Sequence, residues 1–201
     1  AARLFNVEVT GPADSKQFLV RISTSARAFA GLYFGLSACC ILLFFTAGMP
    51  IFYALCESFG VISTGGFSMH PQGLVYYKND HILIIAIIFM LLGSLSFRGH
   101  YLFFIRRVWS GLFHDYESRS YIQYIGIIVG SLYVWLIVAD IDFSDRVKWL
   151  YQVIGMLTTT GVHPPGLGMP DWMMYILTIL SCVGGCAGST TCGIKIFRVQ
   201  I

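Results

Sequence analysis

The chain has 201 residues, 56% of them hydrophobic and 11% charged, with a formal net charge of +3 and a mean hydropathy of +0.72. A water-soluble domain carries roughly twice that charged fraction, so the composition excludes an ordinary soluble globular protein and points to one that lives in a bilayer. The small positive charge calls for no nucleic-acid partner, because the placement of the basic residues around the apolar segments accounts for it.

Residues 1–27 are polar and basic, with a turn at Gly11-Pro12, and read as a cytoplasmic lead-in whose Arg21 and Arg27 suit lipid headgroups. No initiator methionine, signal peptide or leading span opens the chain, as expected of a stretch from the middle of a longer protein. Four uncharged windows follow, at 28–47, 81–97, 120–139 and 172–194. A crossing helix needs about 20 apolar residues, so all four read as spans, the second by continuing past Arg98 to Ile105.

Between the first two windows Pro50 suits the start of a helix. The stretch 51–62, apolar at Phe52, Leu55, Phe59 and Ile62, is too short to cross. It is expected to dip into the membrane and stop at the glycines, with the chain returning through Gly65, Gly66, Pro71 and Gly73. Such non-helical backbone is tolerated at membrane depth only where protein buries it or water lines it. Residues 28–105 thus form one span, re-entrant loop, span unit.

A mixed-charge cytoplasmic loop, 106–119, leads to a second unit over 120–201. That loop reads either as a solvated connection with headgroup-binding arginines or as a docking surface for a cytosolic partner, and the residues leave both open. The second unit runs through a span, an acidic turn at 140–145, a short helix at 146–157, a glycine turn and a return over 163–170. Its last window contains Gly184, Gly185, Gly188 and Gly193, each costing about 1 kcal/mol against alanine in a helix. A break or loop is expected there instead of a straight helix.

A shift of 95 positions lays one unit on the other, pairing Gly60 with Gly155, Ile62 with Leu157, Thr64 with Thr159, Gly66 with Gly161 and Phe67 with Val162. Internal repetition of this kind is typical of membrane transport folds. Ten of the thirteen Lys and Arg residues stand before the first apolar window, between the second and third windows (81–97 and 120–139) or after the last. Asp80, Asp140, Asp142, Asp145 and Asp171 gather in the loop segments. The positive-inside rule puts both termini and the central loop in the cytoplasm and has both loops enter from outside.

A short helix aimed into the membrane presents its partially negative C-terminus to the bilayer centre, which favours a cation. Directly after it, Ser63, Thr64, Gly65 and Gly66, and again Thr158, Thr159, Thr160 and Gly161, offer carbonyls, hydroxyls and glycines able to take positive φ. Neither tetrapeptide holds a carboxylate, so the pattern fits a K⁺-like filter of neutral dipoles better than a divalent site. No covalently bound cofactor is expected.

The six cysteines lie in apolar or glycine-rich surroundings without zinc-site spacing and read as small buried residues. Lys195 and Arg198 fit either gating charges or cytoplasmic anchors. Glu57 either helps attract cations or bonds nearby backbone; its counterpart is the neutral Gln152. His70 and His163 read as residues of the outer mouth. No nucleophile and base pair or metal cluster indicates an enzyme.

The motifs Ile62-Ser-Thr-Gly-Gly-Phe-Ser68, Leu157-Thr-Thr-Thr-Gly161 and Gly184-Gly-Cys-Ala-Gly-Ser-Thr190, the last followed by Gly193-Ile-Lys-Ile-Phe-Arg198, carry a resemblance. The chain resembles the Trk/Ktr/HKT superfamily of potassium transporters, most closely its bacterial TrkH/TrkG branch. The resemblance implies an all-α membrane protein with tandem helix, pore loop, helix repeats of potassium-channel type, of which this chain would hold the central two of four. It implies K⁺ uptake through a carbonyl filter at 63–66 and 158–161. It also implies a gate in which Gly184, Gly185, Gly188, Ser189, Thr190 and Gly193 form an intramembrane loop. Homodimers in the inner membrane, on a cytosolic TrkA-like nucleotide-binding regulatory subunit, are implied as well. Val162-His163-Pro164-Pro165 and Thr191-Cys192 depart from the family pattern. A reading of another class is a non-transporting scaffold that docks a regulatory partner or anionic lipid through its basic inner face.

Overall fold

The computed structural model describes residues 15–104, 116–140, 143–163 and 169–199. The Gly11-Pro12 turn, most of the 106–119 loop, Asp142 and residues 164–168 of the second return lie outside them. The described chain is mostly helical.

Helix α1 (Ser15–Thr46) leads, after a turn at Gly48, into the short α2 (Ile51–Ile62), which starts at Pro50 with φ −60°. After a 3-10 turn (Gly73–Tyr77) comes α3 (Asp80–Ser94), capped by the Asn79 side chain, which accepts from His81 N–H at 3.0 Å. Then follow α4 (Phe97–Phe104), α5 (Tyr116–Val138), α6 (Phe143–Leu157) and α7 (Asp171–Ser181). Strands β1 (Val183–Gly184) and β2 (Ile194–Lys195) pair in parallel, Val183 with Ile194 and Gly184 with Lys195, before the last turn of helix, α8 (Ile196–Val199).

By length and composition, two described helical stretches could cross a bilayer, Ala26–Thr46 and Glu117–Val138. The other two apolar windows are interrupted. The second does not continue as one helix to Ile105: α3 has 15 residues, about 22 Å at 1.5 Å each, and stops where Leu95 turns extended at φ −81° and ψ 159°. The break frees carbonyls that the glycine-rich segment takes up. Thr190 N–H donates to Gly93 O at 3.2 Å, Cys186 N–H to Ser94 O at 3.1 Å, and Phe97 N–H to Gly188 O at 3.1 Å. A continuous helix would have used those groups internally. In the fourth window α7 ends at Ser181, and a Cβ on Gly184 would run into the carbonyl of Cys192.

Two apolar cores hold the elements together. One joins Cys40 and Phe44 of α1, Ala54 and Ile62 of α2, Ile82, Ala86 and Met90 of α3 and Tyr151 of α6. The other joins Tyr121 and Leu136 of α5, Val153 and Leu157 of α6, Leu177 of α7 and Cys186. Helix α6 contributes to both and so ties the units to each other. Large apolar side chains elsewhere face outward, Phe34 on α1, Ile127 and Val138 on α5, Ile179 on α7, an outer surface that suits lipid. Of the six cysteines, Cys40 and Cys186 are buried, whereas Cys39, Cys182 and Cys192 are exposed. The expectation that all were buried is corrected: Cys39 and Cys182 lie on α1 and at the end of α7, away from the two cores.

Candidate functional site: two repeated loops and a glycine-rich segment

Helices α2 and α6 end alike, and each hands the chain to its loop through bonds displaced by 95 positions. Ser63 N–H donates to Phe59 O at 3.0 Å and Thr158 N–H to Ile154 O at 2.8 Å; Thr64 N–H donates to Val61 O at 3.2 Å and Thr159 N–H to Met156 O at 3.0 Å. Beyond the turn the chain doubles back against its own helix. A Cβ on Gly60 would lie 2.5 Å from Phe67 O, and one on Gly155 would overlap the Val162 side chain. At Gly60 the obstacle is backbone, so glycine is required for that close approach; at Gly155 it is the Val162 side chain.

Inside the loops, Thr64 and Gly66 take φ of +49° and +68°, and Thr159 and Gly161 take +57° and +77°. The residues between them, Gly65 and Thr160, do not lie in that region. Threonine there is costly, by about 1–2 kcal/mol relative to the right-handed form. Positive φ at every second residue is the kind of backbone that can turn successive carbonyls toward one axis. Each row of carbonyls follows directly on the partially negative end of a helix. The two loops touch: a Cβ on Gly66 would run into Thr160 O, while among the described residues nothing lies within 4 Å of one on Gly161.

The glycine-rich segment packs against both loops. Thr64 Oγ1 lies 2.7 Å from Ser63 O and 3.0 Å from Thr190 O, its one proton serving either, and Cys192 N–H donates to Thr159 Oγ1 at 2.8 Å. Thr190 Oγ1 lies 2.9 Å from Ile62 O and 3.0 Å from Gly93 O; with a single proton it serves one carbonyl at a time. Gly185 N–H donates to Thr191 Oγ1 at 3.0 Å, and Ser189 Oγ and Thr191 Oγ1 are hydrogen-bonded at 2.6 Å, either serving as donor. The Lys195 ammonium folds back to donate to the Thr191 carbonyl. Ser63, Thr64, Gly65 and Gly66, Thr158, Thr159, Thr160 and Gly161, and the 184–193 segment therefore form one cluster. Arg198, on α8, is exposed.

One contact was not foreseen. Glu117 Oε2 accepts from Ala187 N–H at 3.0 Å, so the first turn of α5 holds the segment from a position that the sequence places in the 106–119 loop. Its identity carries no motif, and only the tertiary fold brings it there.

Behind the first loop Glu57, 2% exposed, accepts from Ser68 Oγ at 2.6 Å and from Met69 N–H at 2.9 Å. Behind the second, Gln152 Nε2 donates to His163 Nδ1 at 2.8 Å. The His70 ring stacks on Tyr76 at 3.8 Å and on Tyr53 at 5.2 Å. Burial, and then the nearby Glu57 carboxylate, pushes the Tyr77 phenol up to about 12, so it stays protonated at neutral pH.

A mostly helical, lipid-suited chain with two such carbonyl-bearing loops belongs to the class of helical membrane transport proteins. A family model described as TrkH, cation transport protein, matches residues 2–201, and the chain belongs to that family. It is 30% identical over 200 residues to the Trk system potassium uptake protein TrkH of Halomonas elongata, covering 98% of this chain and 41% of that protein. It is 31% identical to TrkG of Escherichia coli K12, covering 100% of this chain and 42% of that one. The crystal structure of the potassium transporter TrkH from Vibrio parahaemolyticus superposes with a TM-score of 0.86 at 27% identity, over 99% of this chain and 43% of that one. The chain thus spans about two-fifths of the length of the relatives it matches.

Proposed function

We propose that the chain supplies two consecutive span, pore-loop, span units of a potassium-conducting membrane pore. In this reading α1 and the α3 and α4 pair flank the first loop, and α5 and the α7 to α8 segment flank the second. The carbonyls of 63–66 and 158–161 replace the water around K⁺. The observation that carries the reading is the repeated left-handed pair, Thr64 with Gly66 and Thr159 with Gly161, each set directly after a helix C-terminus. Neutral oxygens without a carboxylate suit a monovalent ion better than a divalent one. Relatives that bear the name of potassium uptake proteins support the same ion.

The glycine-rich segment acts as the gate, since its bonds to Thr64 and Thr159 lay it across both loops. Among the described residues the space beside Gly161 is open, where Gly66 has the Thr160 carbonyl, and it leaves room for a further unit related to the second as the second is to the first. The charge distribution supports cytoplasmic termini in the inner membrane. The basic central loop supports docking of a cytosolic regulatory subunit of the nucleotide-binding, TrkA-like kind, and we take the assembly to be a homodimer of conducting protomers. The protein is a conduit and not an enzyme.

The test is K⁺ uptake at low external K⁺ by a transport-deficient host expressing the full-length protein. Rescue by the unaltered protein, lost in Gly66→Val and Gly161→Val while the protein remains in the membrane, is expected. Normal uptake by both variants overturns the assignment of these loops.

A further inference from the structure

We propose that Glu57 and Gln152 are equivalent positioning residues, each a strut from a short helix to the outer limb of its own loop, and that the two struts set the cation preference of the filter. The inference deepens the pore reading and rests on it. Glu57 reaches Ser68, and Gln152 reaches His163. In both units the helix residue bonds the residue eleven positions further on, and both partners are related by the same shift of 95 that relates Gly60 to Gly155 and Thr64 to Thr159. The geometry is therefore repeated although the chemistry has diverged, carboxylate to hydroxyl in one unit and amide to imidazole in the other.

Each strut spans a whole loop. Residues 63–66 lie between Glu57 and Ser68, and residues 158–161 between Gln152 and His163, so the carbonyl rows are fixed at the helix end and at the return limb. The Glu57 carboxylate is buried and is bound to the limb through Ser68 Oγ and Met69 N–H. A buried carboxylate is costly unless its oxygens are bonded, and charge-assisted bonds of this kind are roughly twice as strong as neutral ones. The first limb is accordingly held more firmly than the second. There the Gln152 amide, itself fully buried, uses its Nε2 on His163 and Met174 Sδ while Oε1 is buried without a partner among the described residues. Both residues act through the limb they bond.

The experiment uses the full-length protein in proteoliposomes and reads the K⁺ KM and the K⁺ to Na⁺ flux ratio. Glu57→Ala is expected to raise the K⁺ KM roughly tenfold or more, as loss of charged hydrogen bonds would, and to lower the flux ratio. Glu57→Gln, which keeps an acceptor for Ser68 and Met69, recovers most of both. Gln152→Ala shifts KM and ratio in the same direction by less. In a double-mutant cycle Glu57→Ala and Ser68→Ala together cost less than the sum of the two. An unchanged KM and flux ratio in Glu57→Ala overturns the strut while leaving the pore reading standing. So does a loss confined to the amount of folded protein, with Glu57→Gln no better than Glu57→Ala. Unaltered protein that moves no K⁺ overturns the pore reading and this inference with it.

Discussion

Thr64 and Thr159, 95 positions apart and both left-handed, bind the same three-residue stretch of the glycine-rich segment, Thr64 through Thr190 O at 3.0 Å and Thr159 through Cys192 N–H at 2.8 Å. The side chains that carry backbone strain in the loops are therefore those that hold the segment in place. Their φ values and their hydroxyls belong to one arrangement. If that segment closes the path, loosening it increases flux without altering preference, because the carbonyl rows are left as they are.

Thr190→Val tests this. The substitution is near-isosteric and removes the hydroxyl donor shared by Ile62 O and Gly93 O; Gly93 O keeps the Thr190 N–H, whereas Ile62 O is left short of a partner at a cost of about 1–3 kcal/mol. Proteoliposome flux should rise with the K⁺ to Na⁺ ratio unchanged. A lower flux at equal protein would assign the segment to supporting the loops instead of closing them.

Glu117 should act on the same segment from α5. Glu117→Gln can still accept from Ala187 N–H, whereas Glu117→Ala cannot. We expect raised K⁺ flux in Glu117→Ala and near-normal flux in Glu117→Gln. Equal behaviour of the two variants would show that the contact does not restrain the segment.

The two helix glycines separate a side-chain obstacle from a backbone one. A Cβ on Gly155 meets Val162 Cγ2, while one on Gly60 meets the carbonyl of Phe67. Overpacking of this sort costs about 1–3 kcal/mol. Gly155→Ala should lower thermal stability and be largely rescued by adding Val162→Ala; Gly60→Ala should not be rescued by Phe67→Ala. Thermal unfolding in detergent reads both, and failure of the Val162 rescue would refute the close return.

Gly66 and Gly161 test whether a further unit adjoins the second loop. Gly66→Ala brings a methyl onto Thr160 O, whereas Gly161→Ala, in the described residues, brings only the cost of φ +77°, about 1–2 kcal/mol. In the full-length protein we expect Gly161→Ala to abolish uptake as fully as Gly66→Ala. Retained uptake in Gly161→Ala would mean that the space beside it stays open.

What the sequence made legible follows from periodicity and local chemistry. The bounds of Ile51–Ile62 could be read because Pro50 and the glycines punctuate an apolar run, and the 95-residue shift could be read because the same residue types recur. That shift extends further than the sequence disclosed: Ser68 and His163 are equivalent, although the histidines alone, His70 and His163, had no common offset. The interruption of α3 at Leu95 was not legible, since Gly93, Ser94 and Ser96 are residues a membrane helix also carries and the break is compensated by groups far along the chain, Cys186 N–H and Thr190 N–H. Glu117 was missed for the same reason, as a non-local bond to a backbone N–H leaves no trace in local composition.

The central claim is that K⁺ occupies the carbonyl rows of the two loops. Anomalous diffraction from crystals of the full-length protein grown with Rb⁺ in place of K⁺ tests it most directly. The account predicts a peak bounded by the carbonyls of Thr64, Gly65, Thr159 and Thr160, weakened when Na⁺ replaces Rb⁺. Well-ordered loops with no anomalous peak between them would contradict it.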